Sequence, residues 1–149
     1  MSLPPALFER RRCLLRLGAC GLLGWSASSV QAAPIYSLAE LQARRLSADG
    51  IEVELLELAD NGNAIPLKFS LRAPTGRTLR GFEIIAPENP NPVILRLKLL
   101  QPVSRYRFST RIRLAMSQEV WVLALLDDAS QLGKGTHTVV TSTACFDET

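Results

Sequence analysis

Hydrophobic and polar residues alternate along most of the chain after residue 50, with the period of two that a half-buried β-strand requires. The clearest run is 105–114, where arginine or serine occupies every odd position, and tyrosine, phenylalanine, threonine, isoleucine and leucine occupy the even ones. Turn-forming strings such as Asp-Asn-Gly-Asn at 60–63 separate the runs. The pattern predicts strands at 51–55, 65–71, 79–86, 95–99, 105–114, 120–126 and 136–143. About seven short strands predict an all-β protein, an immunoglobulin-like antiparallel β-sandwich.

A short helix is predicted before the first strand. Ser37 and Glu40 have the spacing of a capping box, in which each side chain accepts a hydrogen bond from the other residue's backbone amide. The helix should continue to about Arg45. We therefore assign 33–48 to the helical segment and 49–143 to the sandwich, in whose core we expect Phe82 and Trp121.

The first 32 residues have the composition of an export signal. A basic start precedes an apolar stretch at 14–25, which is shorter than the roughly 20 residues of a membrane-spanning helix. Arg11 and Arg12 precede the string Cys-Leu-Leu-Arg, which fits a twin-arginine signal. An arginine-rich signal for the general secretory route is the alternative. The twin-arginine route carries folded proteins, so we expect a periplasmic protein that folds before export.

Removal of this signal changes the charge of the protein. The chain has a formal charge of +3, but the segment 1–32 holds four of its 17 basic residues and one of its 14 acidic residues. The remaining 117 residues hold 13 of each sign. The mature protein is therefore nearly neutral, which argues against binding to nucleic acid or to an anionic membrane.

Candidate chemistry is sparse in the mature chain. Cys145 is its one cysteine, and an odd cysteine in an exported protein indicates a reactive thiol or an intermolecular bond. His137 is the single histidine, and we expect it to be an ordinary strand residue. With one histidine and one cysteine, the sequence offers no set of metal ligands, and no cofactor is expected. Asp127 and Asp128 are expected in a hairpin turn. One strand face should carry four arginines, which are candidates for contact with an anion or a partner: Arg105, Arg107, Arg111 and Arg113. A solvated strand face is the simpler interpretation.

Three stretches of the chain resemble the SoxY family, the sulfur-carrying subunits of the periplasmic thiosulfate-oxidising Sox system. They are 60–66, the stretch 88–92 with its Asn-Pro-Asn-Pro string, and 109–115 with its Ser-Thr-Arg-Ile-Arg string. The family also begins with a twin-arginine signal and ends with a single carrier cysteine, to which Cys145 corresponds.

The resemblance implies an immunoglobulin-like fold and a carrier that is not itself an enzyme. It also implies a heterodimer with a SoxZ-like subunit, which would be exported together with this chain. Transient partners would be a haem protein that attaches thiosulfate to the thiol, a hydrolase that releases sulfate, and a sulfur dehydrogenase. In this interpretation Cys145 is the site of covalent sulfur attachment.

The C-terminal arm, 144–149, departs from the family pattern. The family places glycines on both sides of its cysteine, whereas Ala144 and Phe146 flank Cys145 here. The acidic residues Asp147 and Glu148 should also disfavour the reactive thiolate. If the last strand ends near Val140, five extended residues give the thiol a reach of roughly 16 Å. A frayed strand end, a non-catalytic binding subunit of a periplasmic redox system, and a homodimer joined through Cys145 are the alternatives.

We predict that replacing both Arg11 and Arg12 by lysine retains the precursor in the cytoplasm, because the twin-arginine route recognises the arginine pair. Fractionation followed by immunoblotting measures the exported share. Arg10→Lys, which leaves the pair intact, is the matched control. Unimpaired export of the double variant would contradict the assignment.

Overall fold

The alternating pattern produces strands along most of residues 36–142, which are the residues that the computed structural model describes. The signal segment and the terminal residues 143–149, with Cys145, lie outside this range. The elements are α1 Leu38–Ala43, β1 Ile51–Leu55, β2 Leu58–Ala59, β3 Ile65–Arg72, β4 Leu79–Ile85, β5 Val93–Val103, β6 Arg105–Ile112, β7 Gln118–Leu126 and β8 Gln131–Val140.

The strands form two sheets, with the orders β1-β3-β6 and β2-β8-β7-β4-β5. In the first sheet β3 lies between β1 and β6, and in the second β7 lies between β4 and β8, as the corresponding strands do in immunoglobulin domains. The predicted all-β, immunoglobulin-like sandwich is confirmed. Its pairings are antiparallel except at β2, which runs parallel to β8. This exception arises because the chain leaves the first sheet after β1 and joins the edge of the second without reversing direction.

The core lies between the inner faces of the two sheets. Phe82 of β4 is 1% exposed and lies at the centre of an aromatic cluster. Its ring centroid is 5.1 Å from that of Phe69, 5.0 Å from that of Phe108 and 5.7 Å from that of Tyr106. The first sheet contributes three rings and the second contributes Phe82, so the cluster joins the two layers.

Helix α1 covers part of the outer face of the five-stranded sheet. Ser37 caps it, and the predicted capping box with Glu40 is present. Leu41 is fully buried in a second hydrophobic cluster, which also contains Trp121 and Leu123 of β7. Trp121 is therefore buried as expected, but under the helix and not between the sheets.

Two glycines of β8 are closely packed. A Cβ atom at Gly133 would lie 2.5 Å from Cδ1 of Leu46, which follows the helix. A Cβ atom at Gly135 would meet two side chains of β7, Glu119 at its Oε1 and, at 2.8 Å, Trp121 at its Cε2. The sequence predicted that the last strand starts at Thr136, because β-branched residues are frequent from there on. The strand in fact runs from Gln131 to Val140. Its glycines are required by close packing, not by a turn.

Other strand boundaries also differ from the prediction. The strand predicted at 95–99 is the centre of β5, which has 11 residues. β6 ends at Ile112, two residues earlier than predicted, because the amide of Leu114 donates to the carbonyl of Gly62 and not to β3. The two-residue β2 was not predicted, since two residues are too few for an alternating pattern. The turn at Asp127 and Asp128 is confirmed, and both carboxylates contact Arg77.

We predict that Phe82→Ala lowers the free energy of unfolding by about 3–5 kcal/mol, because it leaves a cavity where rings from both sheets meet. Urea denaturation of the mature protein measures this change. Leu100→Ala removes a side chain that is 101% exposed and should change stability by less than about 0.5 kcal/mol. Equal effects of the two substitutions would contradict this description of the core.

Candidate functional site

The chain leading to Cys145 is fixed by hydrogen bonds as far as Ser142. The amide of Val140 donates to Oγ of Ser117 at 2.9 Å, and the amide of Thr141 donates to the carbonyl of Ala59 at 3.0 Å. The carbonyl of Ser142 accepts from the amide of Gly62 at 2.7 Å. We call residues 139–142 the arm base.

This anchoring shortens the reach of the candidate thiol. Cys145 itself lies outside the described residues, but it is only three positions beyond Ser142, with two residues between them. At about 3.3 Å per extended residue, its Cα can lie no more than about 10 Å from that of Ser142. The estimate from sequence, roughly 16 Å, assumed that the chain is free beyond Val140. It is too long, because the loop at 60–63 holds two further residues.

Gly62 connects the arm base to the end of β6. Its amide donates to Ser142, and its carbonyl accepts from the amide of Leu114 at 2.9 Å. The loop around it is stabilised locally, since Oδ1 of Asn61 accepts from the amide of Asn63 at 2.8 Å. Two of the stretches that carry the family resemblance, 60–66 and 109–115, therefore meet at the arm base.

Asn89 joins the third stretch to the same place. The side chain is 6% exposed, and its Nδ2 donates to the carbonyl of Arg113 at 2.9 Å. Its Oδ1 accepts from the amide of Ala115 at 2.9 Å and from Nε2 of Gln118 at 3.0 Å. Gln118 is buried as well, and its Oε1 accepts from the amide of Glu88. The network fixes 88–92 against 109–115 and the start of β7.

The structural roles of Gly62, Asn89, Ser117 and Gln118 were not predicted from the sequence. The resemblance had singled out the stretches that contain Gly62 and Asn89. The partners to which Asn89 and Gly62 are hydrogen-bonded here lie 24 to 80 positions further along the chain, and local spacing does not reveal such contacts. Together these residues build a rigid support from which the C-terminal arm begins.

The candidate arginines form an exposed row along β6 and the residue that follows it: Arg105, Arg107, Arg111 and Arg113. β6 is an edge strand that pairs with β3 alone. Within residues 36–142, no carboxylate lies within 4 Å of these four guanidinium groups. At the opposite edge of this sheet, Glu52 accepts from Ser70 and Glu54 lies 4.0 Å from Lys68. The expected solvated face is present, and contact with an anion or partner stays a prediction.

His137 is an exposed residue of β8, as expected. It lines an open groove of about 500 Å³ with Leu38, Glu88, Met116 and Glu119 among its other lining residues. In the described part of the chain, no three histidine, cysteine, aspartate or glutamate side chains are grouped so that they could hold a metal. Nor does any helix of residues 36–142 have the length and apolarity needed to cross a bilayer.

Comparison with known proteins identifies the family. Residues 38–145 match the family described as sulfur oxidation protein SoxY. The chain belongs to the SoxY family. No curated protein sequence matches it. The match runs from the first residue of α1 to the terminal cysteine, so it includes the arm base and all three stretches that meet there.

Solved structures with a similar fold include a second SoxY-like chain. The sulfur carrier protein SoxY from Chlorobium limicola f. thiosulfatophilum is 20% identical, with a TM-score of 0.55, over 69% of this chain and 94% of that one. A superoxide reductase (neelaredoxin) from Ignicoccus hospitalis is 13% identical, with a TM-score of 0.45, over 70% of this chain and 99% of that one. At these identities the likeness to the SoxY structure shows a shared fold.

We predict that Asn89→Ala lowers the free energy of unfolding by about 2–3 kcal/mol, because it leaves buried partners at Arg113, Ala115 and Gln118 without their hydrogen bonds. Amide hydrogen exchange should also accelerate at Ala115 and at Leu114, which Gly62 binds. Asn91→Ala, an exposed position of the same Asn-Pro-Asn-Pro string, is the matched control and should have little effect. Similar losses in both variants would argue against the network.

Proposed function

We propose that this SoxY-family chain is a periplasmic carrier that holds sulfur intermediates covalently on Cys145. The observation that carries the proposal is the family match, which ends at that cysteine. The rigid arm base supports it, because a carrier needs a nucleophile within reach of another protein and a body that the other protein can bind. As a carrier, the chain supplies the attachment atom and its partners supply the catalysis.

The loading step fits a lone thiol. The thiol of Cys145 loses its proton to solvent, and a disulfide bond forms between its Sγ and the outer sulfur of thiosulfate. Two electrons are released, and they pass to the haem of the loading enzyme and from it to an electron acceptor. Hydrolysis of the product by the partner hydrolase would release sulfate and leave the outer sulfur on the cysteine.

We further propose export by the twin-arginine route as a heterodimer with a SoxZ-like subunit. The arginine pair at Arg11 and Arg12 supports this route. A route that moves folded proteins allows a partner without a signal of its own to cross with this chain.

We predict that incubation with thiosulfate, a Sox-type haem protein and an electron acceptor adds the mass of one thiosulfate unit, –S–SO3⁻ in place of the thiol hydrogen, to the mature protein. Intact-mass spectrometry measures the adduct, and a reducing agent should remove it because it is held through a disulfide bond. Cys145→Ser should prevent it. An unmodified wild-type protein, or an adduct on the serine variant, would contradict the carrier function.

A non-catalytic binding subunit of a periplasmic redox system is the second candidate. It is favoured by the absence of glycine beside Cys145, since alanine and phenylalanine restrict the backbone more than glycine does. Sulfur-oxidation activity of cells that produce Cys145→Ala separates the two candidates. Activity retained at the wild-type level favours the binding subunit, and its loss favours the carrier.

A further inference from the structure

The register of β3 with β6 places two of the four exposed arginines beside the arm base. Arg111 pairs with Pro66 at the start of β3. Arg113 follows the end of β6, and the amide of the next residue, Leu114, donates to the carbonyl of Gly62. Because Gly62 also binds the arm base, these two arginines lie at the end of the first sheet from which the arm starts. We call Arg111 and Arg113 the near arginines.

The near arginines have no acidic partner in the described part of the chain. Both are exposed, and neither forms an ion pair with a carboxylate of residues 36–142. Lys68, two positions along β3 from the register partner of Arg111, has the same sign and lies 4.0 Å from Glu54. Asp60 and Glu88 belong to loops at this end of the molecule and do not pair with the near arginines either. Their positive charge is therefore available to an acidic segment.

The sequence supplies two carboxylates within reach. Asp147 and Glu148, which we call the acidic pair, follow Ser142 by five and six positions, or about 16–20 Å of extended chain. Hydrogen bonds of 2.7 and 2.9 Å connect Ser142 to Leu114 through Gly62. The Cα atoms of Ser142 and Leu114 are therefore at most about 13 Å apart. The acidic pair can reach both near arginines.

The other half of the arginine row lies at the far end of the same strand. Arg107 and Arg105 precede Arg113 by six and eight positions, which corresponds to about 20 and about 26 Å along an extended strand. Arg105 pairs with Arg72 at the end of β3, away from the arm base. These far arginines have the same charge and are also exposed. They differ from the near arginines in their distance from the arm.

We propose that the acidic pair docks on the near arginines of the same molecule and holds the arm against the loop at 60–63. Charge complementarity and the length of chain beyond Ser142 select this occupant. Docking also brings guanidinium groups close to Cys145, where their charge opposes the effect of the neighbouring carboxylates on the thiolate. The docking requires no sulfur chemistry, so it goes beyond the proposed carrier function and does not depend on it.

A nitroxide spin label on Cys145, the single cysteine of the mature chain, reports whether the arm is held. Its EPR spectrum separates a slowly moving docked population from a freely moving one. The test uses the mature protein with any subunit that co-purifies. It compares Arg111→Gln/Arg113→Gln with Arg105→Gln/Arg107→Gln. Each double variant removes two positive charges from one face of the chain, so the general effect of net charge is the same in both.

We expect substitution of the near arginines to lower the ratio of docked to free arm about fivefold, since two exposed ion pairs are lost. Substitution of the far arginines should change the ratio by less than about twofold. Raising the salt from about 0.01 M to about 1 M should lower the wild-type ratio to that of the near-arginine variant, because the Debye length falls from about 30 Å to about 3 Å.

Two further variants make the test specific to this pairing. Asp147→Asn/Glu148→Gln should lower the ratio as much as substitution of the near arginines, and it replaces that variant should the latter fail to fold. Exchange of the charges, with Asp147→Arg/Glu148→Arg added to Arg111→Glu/Arg113→Glu, should restore the wild-type ratio.

Three outcomes would overturn the inference. Equal ratios in the near-arginine and far-arginine variants would show that the near arginines do not hold the arm. A slow population that persists in Asp147→Asn/Glu148→Gln would assign the holding of the arm to other groups. A docked fraction that rises with protein concentration would place the acidic pair on the arginines of a second copy.

Discussion

The two backbone hydrogen bonds of Gly62 are the constraint on which the functional end of this molecule depends. One bond holds the carbonyl of Ser142, and the other holds the amide of Leu114. The first sheet ends beside Leu114, and the second sheet ends beside Ser142. A single residue thus couples the closing strand of each layer, and the chain beyond Ser142 begins from a point that is fixed relative to both.

The hydrogen-bond network of Asn89 extends this constraint to the opposite side of the arm base. Its buried amide satisfies backbone groups that follow the end of β6, where the ladder to β3 can no longer do so. The same residue also orients Gln118 at the start of β7. The three stretches that carry the family resemblance therefore stabilise the point from which the arm starts.

Much of the fold could be predicted from the sequence because its signals are local. Period-two alternation gave the strands of both sheets, and Ser37 with Glu40 gave the start of the helix. The N-terminal half of β8 was missed, since Gly133 and Gly135 weaken a strand pattern, and the reason for them is a contact with Leu46 and Trp121. The convergence of Ser142 and Leu114 on Gly62 could not be predicted, because it depends on which distant strands become neighbours.

For the proposed carrier, the anchoring of Ser142 has a consequence for the energetics of delivery. A long flexible arm adopts many conformations, and its conformational entropy is lost each time an enzyme binds the group at its end. With the thiol only three positions beyond the anchor, most of this entropic cost is met when the protein folds. The choice of partner enzymes then depends less on the arm than on the folded domain, whose shape and surface chemistry determine which protein can approach the thiol.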